Sequence, residues 1–365
     1  MTESIIRRQS TRVKIGNVTV GGGSPIVIQS MTNTDTHDFN STKKQIIALQ
    51  DAGCQIVRIT LPTIESVDTV YKLKADGDIK IPVVGDIHFD YKIALAAAEA
   101  GIDKIRINPG NIGADDRVKA VADICRQKNI PIRIGVNSGS VEKQILAKHG
   151  GPTPCALCES ALYHASLLEK FDFCDIVLSV KASSPLSTIL SYRNLAEMCK
   201  YPLHLGVTEA GGEQSGTIKS AVGIGTLLAE GIGDTVRVSL TADPVKEIYA
   251  AKSILSSLEL DSDKGLEIVS CPTCGRTKID LISLSARFEE AVQREGLADL
   301  PITVALMGCI VNGPGEAHEA DIGIAGGRGE ALLFSHGESM GKIKEENIID
   351  TLIKEIKKIK EKTYE

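Results

Sequence analysis

From residue 25 to residue 258 the chain repeats one local pattern. Short β-branched runs alternate with longer segments of helical period, several of which end in glycine. The strand candidates are PIVIQS (25–30), IVRIT (56–60), PVVGDIH (82–88), KIRIN (104–108), PIRIGVN (131–137), DIVLSVK (175–181), LHLGVTE (203–209) and TVRVSL (235–240). Segments such as TKKQIIALQDAG, YKIALAAAEAG, ADDRVKAVADICRQKN and VKEIYAAKSILSSL lie between them. Eight βα units with nothing left over predict an α/β fold, a (β/α)8 TIM barrel. No glycine-rich dinucleotide turn follows the first strand, which disfavours an open Rossmann sheet. Ahead of the barrel, residues 11–22 alternate around Gly16-Asn17 and predict a β-hairpin.

The polar stretch ELDSDKGL (258–265) breaks the rhythm. It marks a boundary between a barrel at 1–258 and a smaller α/β domain at 266–365. The second domain holds a helical segment, LISLSARFEEAVQREG, and the strand-like ITVALMG, IGIAGG and EALLFSHG. It ends in EENIIDTLIKEIKKIKEK, with apolar residues at 348, 349, 352, 353, 356 and 359. That spacing predicts an amphipathic helix whose lysine-rich face is solvated surface, not a membrane anchor.

Composition removes several function classes. The formal net charge is −6, Trp is absent and aromatics are 4%. There is no basic field for nucleic acid and no set of rings for stacking bases, so the core is read as aliphatic. No apolar run approaches the roughly 20 residues of a membrane helix. The N-terminus MTESIIRRQSTR has no apolar segment after its charges, so it does not read as a secretory signal. Nine scattered cysteines then fit reduced thiols in the cytoplasm, some binding metal.

In a (β/α)8 barrel, chemistry sits at the C-terminal strand ends, where residues two apart share a face. Arg58 pairs this way with Thr60, Asp86 with His88, Arg106 with Asn108, and Arg237 with Ser239. Arg133 aligns with Asn137, His204 aligns with Thr208, Lys181 closes strand six, and Glu209 follows Thr208. An arginine inside an apolar strand is costly unless something pairs with it. Each one alone is compatible with a carboxylate on a neighbouring strand. As a set they predict a polyanion pocket, since guanidinium forks match phosphate oxygens, and their number suggests a diphosphate. A metal site built on Asp86 and His88 is the weaker reading, because only His88 and His204 supply imidazoles at strand ends.

A second chemical signal lies in SCPTCGRTKIDL (270–281) and MGCIVNGPGEAHEADIGIAGG (307–327). Cys271 and Cys274 form a close pair, Cys309 stands on a Gly/Pro-rich turn, and Glu316 follows seven residues later. Zinc ribbons usually show a second pair, and a thioredoxin-like dithiol would need its own βαβ setting. Three cysteines can hold an iron–sulfur cluster whose remaining iron takes another ligand, and Glu316 is close enough in sequence to serve. Spacing favours the cluster and leaves zinc open. Cys155 and Cys158 read as incidental thiols at a helix start. Cys54, Cys125, Cys174 and Cys199 read as small core residues.

Taken together, the motifs resemble the bacterial 4-hydroxy-3-methylbut-2-en-1-yl diphosphate synthase family of the non-mevalonate isoprenoid pathway. They are QSMTNTDT (29–36), VRIT (57–60), GDIHF (85–89), IRINPGNIG (105–113), IRIGVNSGS (132–140), LHLGVTEAGG (203–212), SCPTCGRT (270–277) and GCIVNGPGEA (308–317), in family order. The resemblance implies a 4Fe–4S cluster on Cys271, Cys274, Cys309 and Glu316. It implies reductive ring opening and dehydration of 2-C-methyl-D-erythritol 2,4-cyclodiphosphate by two electrons from reduced flavodoxin or ferredoxin. Arg58, Arg106, Arg133, Lys181 and Asn137 match positions that hold the substrate. Asp86, His88, Arg237, Ser239 and Asn312 lie in matching motifs, and Glu209 matches a candidate acid/base. A homodimer is also implied. Two other functions remain compatible with the residues alone. One is a non-redox phosphate-binding barrel with a structural zinc ribbon. The other is an iron-sensing regulator, which the acidic charge disfavours.

Overall fold

In a computed structural model, which describes residues 5–260, 265–298, 300–311, 315 and 318–363, the βα rhythm closes into a barrel. Strands β1 (Val13–Ile15) and β2 (Val18–Val20) form the expected hairpin, with Val13 opposite Val20. Gly16 turns it with φ of 55°. The barrel strands are β3 (Val27–Met31), β4 (Ile56–Thr60), β5 (Val83–Asp86), β6 (Lys104–Ile107), β7 (Ile132–Asn137), β8 (Ile176–Lys181), β9 (His204–Leu205) and β10 (Thr235–Val236). All pair in parallel in the order β8-β7-β6-β5-β4-β3-β10-β9, and a parallel bridge from Leu178 to Leu203 joins the two ends. The hairpin residues Val13, Ile15 and Val20 bury against Val27, Ile56, Val84 and Val177 near the strand starts. The hairpin therefore plugs the bottom of the barrel and leaves the strand C-termini as its mouth.

Side-chain caps fix several of the helix starts. Side chains of Asp38, Asp90, Thr153, Ser184 and Asp243 accept backbone N–H groups at the starts of Phe39–Asp51, Tyr91–Glu99, Pro154–Glu169, Pro185–Met198 and Pro244–Ser256. Their apolar faces join one aliphatic core around the sheet. Strands β9 and β10 are shorter than the sequence suggested. Beyond Leu205 the chain is crowded: a Cβ on Gly206 would lie 2.6 Å from Lys181 Nζ and 2.7 Å from the Arg237 carbonyl oxygen. The Arg237 N–H still donates to Leu205 O at 3.0 Å, but regular pairing stops.

The chain divides into two compact units, Met1–Asp261 and Ser262–Glu365. The second is built on a five-stranded sheet of β11 (Glu267–Ser270), β12 (Thr303–Met307), β13 (Ile322–Gly326), β14 (Glu330–Ser335) and β15 (Glu338–Lys344), in that order. The first three strands are parallel and the last three antiparallel. Helices Leu281–Arg294 and Ile348–Thr363 bury Phe288, Val292, Ile348, Leu352 and Ile356 against Val304, Leu306, Ile322 and Ile324. The expected amphipathic helix is therefore present. The edge strands β11 and β15 were not foreseen, because an exposed edge carries little apolar alternation. Among the described residues, no helix is long and apolar enough to cross a membrane.

Candidate functional site

Alternate residues of each barrel strand face inward. Register places Arg58 beside Val84, Asp86 beside Arg106, Arg106 beside Arg133, and Asn137 beside Lys181. The result is a cavity of about 120 Å³ at the mouth. Strands β4 to β7 and the segments directly after them line it with Arg58, Asp86, His88, Arg106, Arg133, Gly135 and Asn137. The β8 to β10 side adds Ser179, Lys181, Thr208, Arg237 and Ser239. Five cationic side chains (Arg58, Arg106, Arg133, Lys181 and Arg237) thus surround one carboxylate, Asp86.

That carboxylate orients two of them. Arg106 Nη1 donates to Asp86 Oδ1 at 3.1 Å, and Arg58 Nη1 lies 3.7 Å from Oδ2. Burial raises the Asp86 pKa, but Arg58, Arg106 and Arg133 more than offset this, so the net shift is downward. Arg106 also donates to Gly135 O at 2.7 Å. Gly135 has no room for a side chain, since a Cβ would lie 2.8 Å from Arg106 Nε. Arg237 is held by Glu247, 4% exposed on the helix Pro244–Ser256, with Nε to Oε2 at 3.4 Å. Glu247 also accepts from Ser30 Oγ at 2.8 Å and from the Leu240 N–H at 3.1 Å.

Arg133 differs from its neighbours. It is 1% exposed, and its Nε and Nη2 make no hydrogen bond. Burial, followed by Arg58 and Arg106, pushes its pKa well down. A buried guanidinium with unmet donors, lining a polar cavity, is an anion site in want of its anion. Lys181 is depressed in the same way, by burial, then Arg133 and Arg237.

Other expected residues fall elsewhere. His204 opens β9 and so sits beneath the mouth, fully buried, with Nε2 3.4 Å from Lys181 Nζ and Nδ1 against the Thr235 hydroxyl. Burial, then Lys181, holds its imidazole well below the ordinary value, so it is neutral. Glu209 is exposed in the loop after β9, with φ of 53°, and does not line the cavity. Asn312 and Glu316 lie outside the described residues. Sequence reasoning missed Ser179, Glu247 and Lys104. Lys104 is fully buried, donating to Gln29 Oε1 at 3.3 Å, and its pKa is driven well down by burial, Arg133 and Arg58. Its alternation with Arg106 in KIRIN was the available signal.

In the second unit, β11 and β12 pair with Ser270 beside Leu306. Cys271 directly follows β11, and Cys309 lies two residues past β12. The Gly308 N–H donates to Cys271 Sγ at 3.3 Å, and the Lys278 N–H donates to Gly308 O at 2.9 Å. Cys274 is exposed, with its N–H bonded to Thr277 Oγ1 at 3.1 Å, while Cys271 and Cys309 are half-buried. Adjacent strand ends therefore gather thiols, one already accepting a backbone donor. Such a donor set fits a soft metal group. Among the described residues, no three His, Cys, Asp or Glu side chains are arranged to hold a metal ion.

The cysteines other than Cys309 are free thiols. Cys158 is buried, donates to Ser191 O at 3.1 Å and is pushed up to about 12 by burial; Cys155, one turn before it, is exposed. Cys54 and Cys125 are core thiols as expected. Cys174 is exposed and Cys199 half-buried, since both stand at the junctions between helices and strands.

Fold and site define a (β/α)8 barrel with a cationic mouth, followed by a thiol-bearing α/β unit. A family model described as the GcpE TIM-barrel domain matches residues 10–252. A second, described as the GcpE protein C-terminal domain, matches residues 267–358. The chain belongs to the GcpE family. It is 55% identical over 356 residues to the 4-hydroxy-3-methylbut-2-en-1-yl diphosphate synthase (flavodoxin) of Ruminiclostridium cellulolyticum, covering 98% of this chain and 99% of that one. It is 56% identical over 353 residues to the protein of the same name from Clostridium perfringens, covering 97% and 99%. Among solved structures, an N-acetylneuraminic acid synthetase from Leptospira borgpetersenii matches with a TM-score of 0.51 at 12% identity, covering 79% of this chain and 100% of that one. That likeness concerns the fold alone.

Proposed function

We infer that this chain catalyses the reductive ring opening and dehydration of 2-C-methyl-D-erythritol 2,4-cyclodiphosphate to 4-hydroxy-3-methylbut-2-enyl diphosphate. Two electrons and a proton enter and water leaves. The observation that carries the binding half is the unpartnered, buried Arg133 among four further cations at the barrel mouth. Arg58, Arg106, Arg133, Lys181 and Arg237 take the phosphate oxygens, and Asn137, Ser239 and His88 complete the polar wall. Asp86 keeps Arg58 and Arg106 oriented while the site is empty. Opening the ring develops negative charge on the departing phosphate oxygen, where fixed cations stabilise it without reorganising. Glu209 stands on the exposed loop after β9, outside the cavity of the free protein, and would have to reach the ring to carry its proton.

Cys271, Cys274 and Cys309, with Glu316, would hold a 4Fe–4S cluster. When bound, such a cluster supplies single electrons and a Lewis-acidic iron. Reduced flavodoxin, named for the relatives, or ferredoxin is the donor. The protein works in the cytoplasm as a homodimer, and Asn312 contributes to substrate binding. The test is anaerobic purification followed by turnover of the cyclic diphosphate with reduced flavodoxin. A brown protein with iron and sulfide in equal amounts that releases the linear diphosphate is expected. A colourless, zinc-bearing protein without this turnover would sink the reading.

A further inference from the structure

His164 is a buried imidazole for which the reaction above has no use. It lies on the helix Pro154–Glu169 and is fully buried. Its Nδ1 accepts the Gly110 N–H at 3.0 Å, and its Nε2 lies 2.6 Å from Glu142 Oε1. Gly110 stands in the short turn Pro109–Asn111 that follows β6. Glu142 stands five residues past Asn137, in the loop that follows β7. A ring that accepts at Nδ1 carries its proton on Nε2, which lies against the Glu142 carboxylate as a close ion-pair contact without a directed hydrogen bond. The neutral imidazole thus braces one mouth loop against the next. The fit is close, since a Cβ on Gly110 would lie 2.8 Å from His164 Cε1.

Both braced loops grow from strands that build the anion cavity. Arg106 and Asn108 precede the Gly110 turn, and Asn108 Oδ1 accepts the Gly135 N–H at 3.0 Å. Asn137 opens the Glu142 loop, where its N–H donates to Ser140 Oγ at 2.9 Å. A shift of either loop therefore moves Arg106 or Asn137, both of which line the cavity.

We propose that His164 is a positioning residue, holding the β6 and β7 loops in the geometry that lets Arg106 and Asn137 grip a phosphate group. This rests on reading the mouth as the cyclic diphosphate site. The groups that face the ring are Glu142, Arg106 on β6, the adjacent Tyr163 ring and the Gly110 amide. Burial lowers the imidazole pKa, Glu142 draws it back up and Arg106 lowers it again, for a net downward shift. The brace is intact at neutral pH. It fails on acidification, when a proton at Nδ1 displaces the Gly110 N–H.

Three variants of the iron-loaded enzyme separate the contacts. His164→Ala removes both, His164→Asn keeps an acceptor near Nδ1, and Glu142→Gln keeps the pair without its charge. KM and kcat for the cyclic diphosphate are measured against pH, and amide hydrogen exchange is followed at 109–111 and 138–142 without substrate. His164→Ala should raise KM about tenfold with kcat changed far less, as expected for one lost buried hydrogen bond. His164→Asn should restore most of KM and abolish its rise at acid pH. Glu142→Gln should move that rise to lower pH. The alanine variant should also speed exchange in both loops, a readout that stands even if the substrate assignment fails. An unchanged KM, or a raised KM that His164→Asn does not rescue, overturns the proposal. If wild-type protein shows no KM for the cyclic diphosphate at all, the substrate reading fails instead, and the exchange data alone decide the brace.

Discussion

The barrel mouth and the thiol-bearing strand end of the second unit are built in opposite ways. At the mouth, charges are buried on regular strands: Arg133 is 1% exposed, Lys181 7% and Arg106 8%. At the thiols, the groups stand on turns, Cys274 exposed and Cys271 half-buried, fixed by backbone bonds such as the Gly308 N–H to Cys271 Sγ. A buried, under-compensated cation costs stability in the free protein and is repaid only when an anion arrives. A thiol on an exposed turn costs little and stays open to a metal group and to a large electron donor. In the proposed reaction the first region binds the substrate and the second supplies the electrons.

The contrast breaks most visibly at Cys271. Cys271→Ser should abolish turnover and collapse iron content while cyclic diphosphate still binds. Loss of binding together with iron would show that the two regions are not separable.

Next in size is Arg133→Met. It should raise the Kd for cyclic diphosphate on the order of 100-fold, since a charge-assisted pair is lost. It should also raise the Tm of the free protein, because a buried unpaired cation is gone. A lowered Tm would mean that Arg133 is structural.

A smaller effect concerns pH. The folded-state pKa of Lys104 lies well below 10.5, chiefly through burial. Between that folded value and 10.5 the unfolded chain binds a proton that the folded chain does not, so stability rises with pH until the unfolded lysine also deprotonates. Thermal melts of the free protein from neutral to mildly alkaline pH should show that rise, reduced in Lys104→Met. A flat profile would show Lys104 charged in the fold.

The smallest effect expected is that of Cys155→Ser, on an exposed thiol outside the site. Activity and iron content should be unchanged and stability within about 0.5 kcal/mol. A fall in iron content would make that thiol part of the metal chemistry.

How legible each region was follows from its construction. Period-two alternation put Arg58, Asp86, Arg106 and Arg133 on inward faces, and terminal glycines marked several helix ends. The same rule misplaced His204, because β9 begins at that residue and its first side chain lies a layer below the mouth. Glu247 was invisible: a carboxylate on an outer helix reaches Arg237 only through the tertiary fold. The His164 brace was hidden for the same reason, since Gly110 and Glu142 are 54 and 22 residues away in sequence. The thiols were legible from spacing alone, while β11 and β15, as exposed edges, left no comparable pattern.

The most direct test is calorimetric titration of 2-C-methyl-D-erythritol 2,4-cyclodiphosphate into anaerobic wild-type protein and into Arg133→Ala. One site per chain, with affinity lost in the variant, is the result this account predicts. Equal affinity in both proteins, or no binding to either, would contradict it.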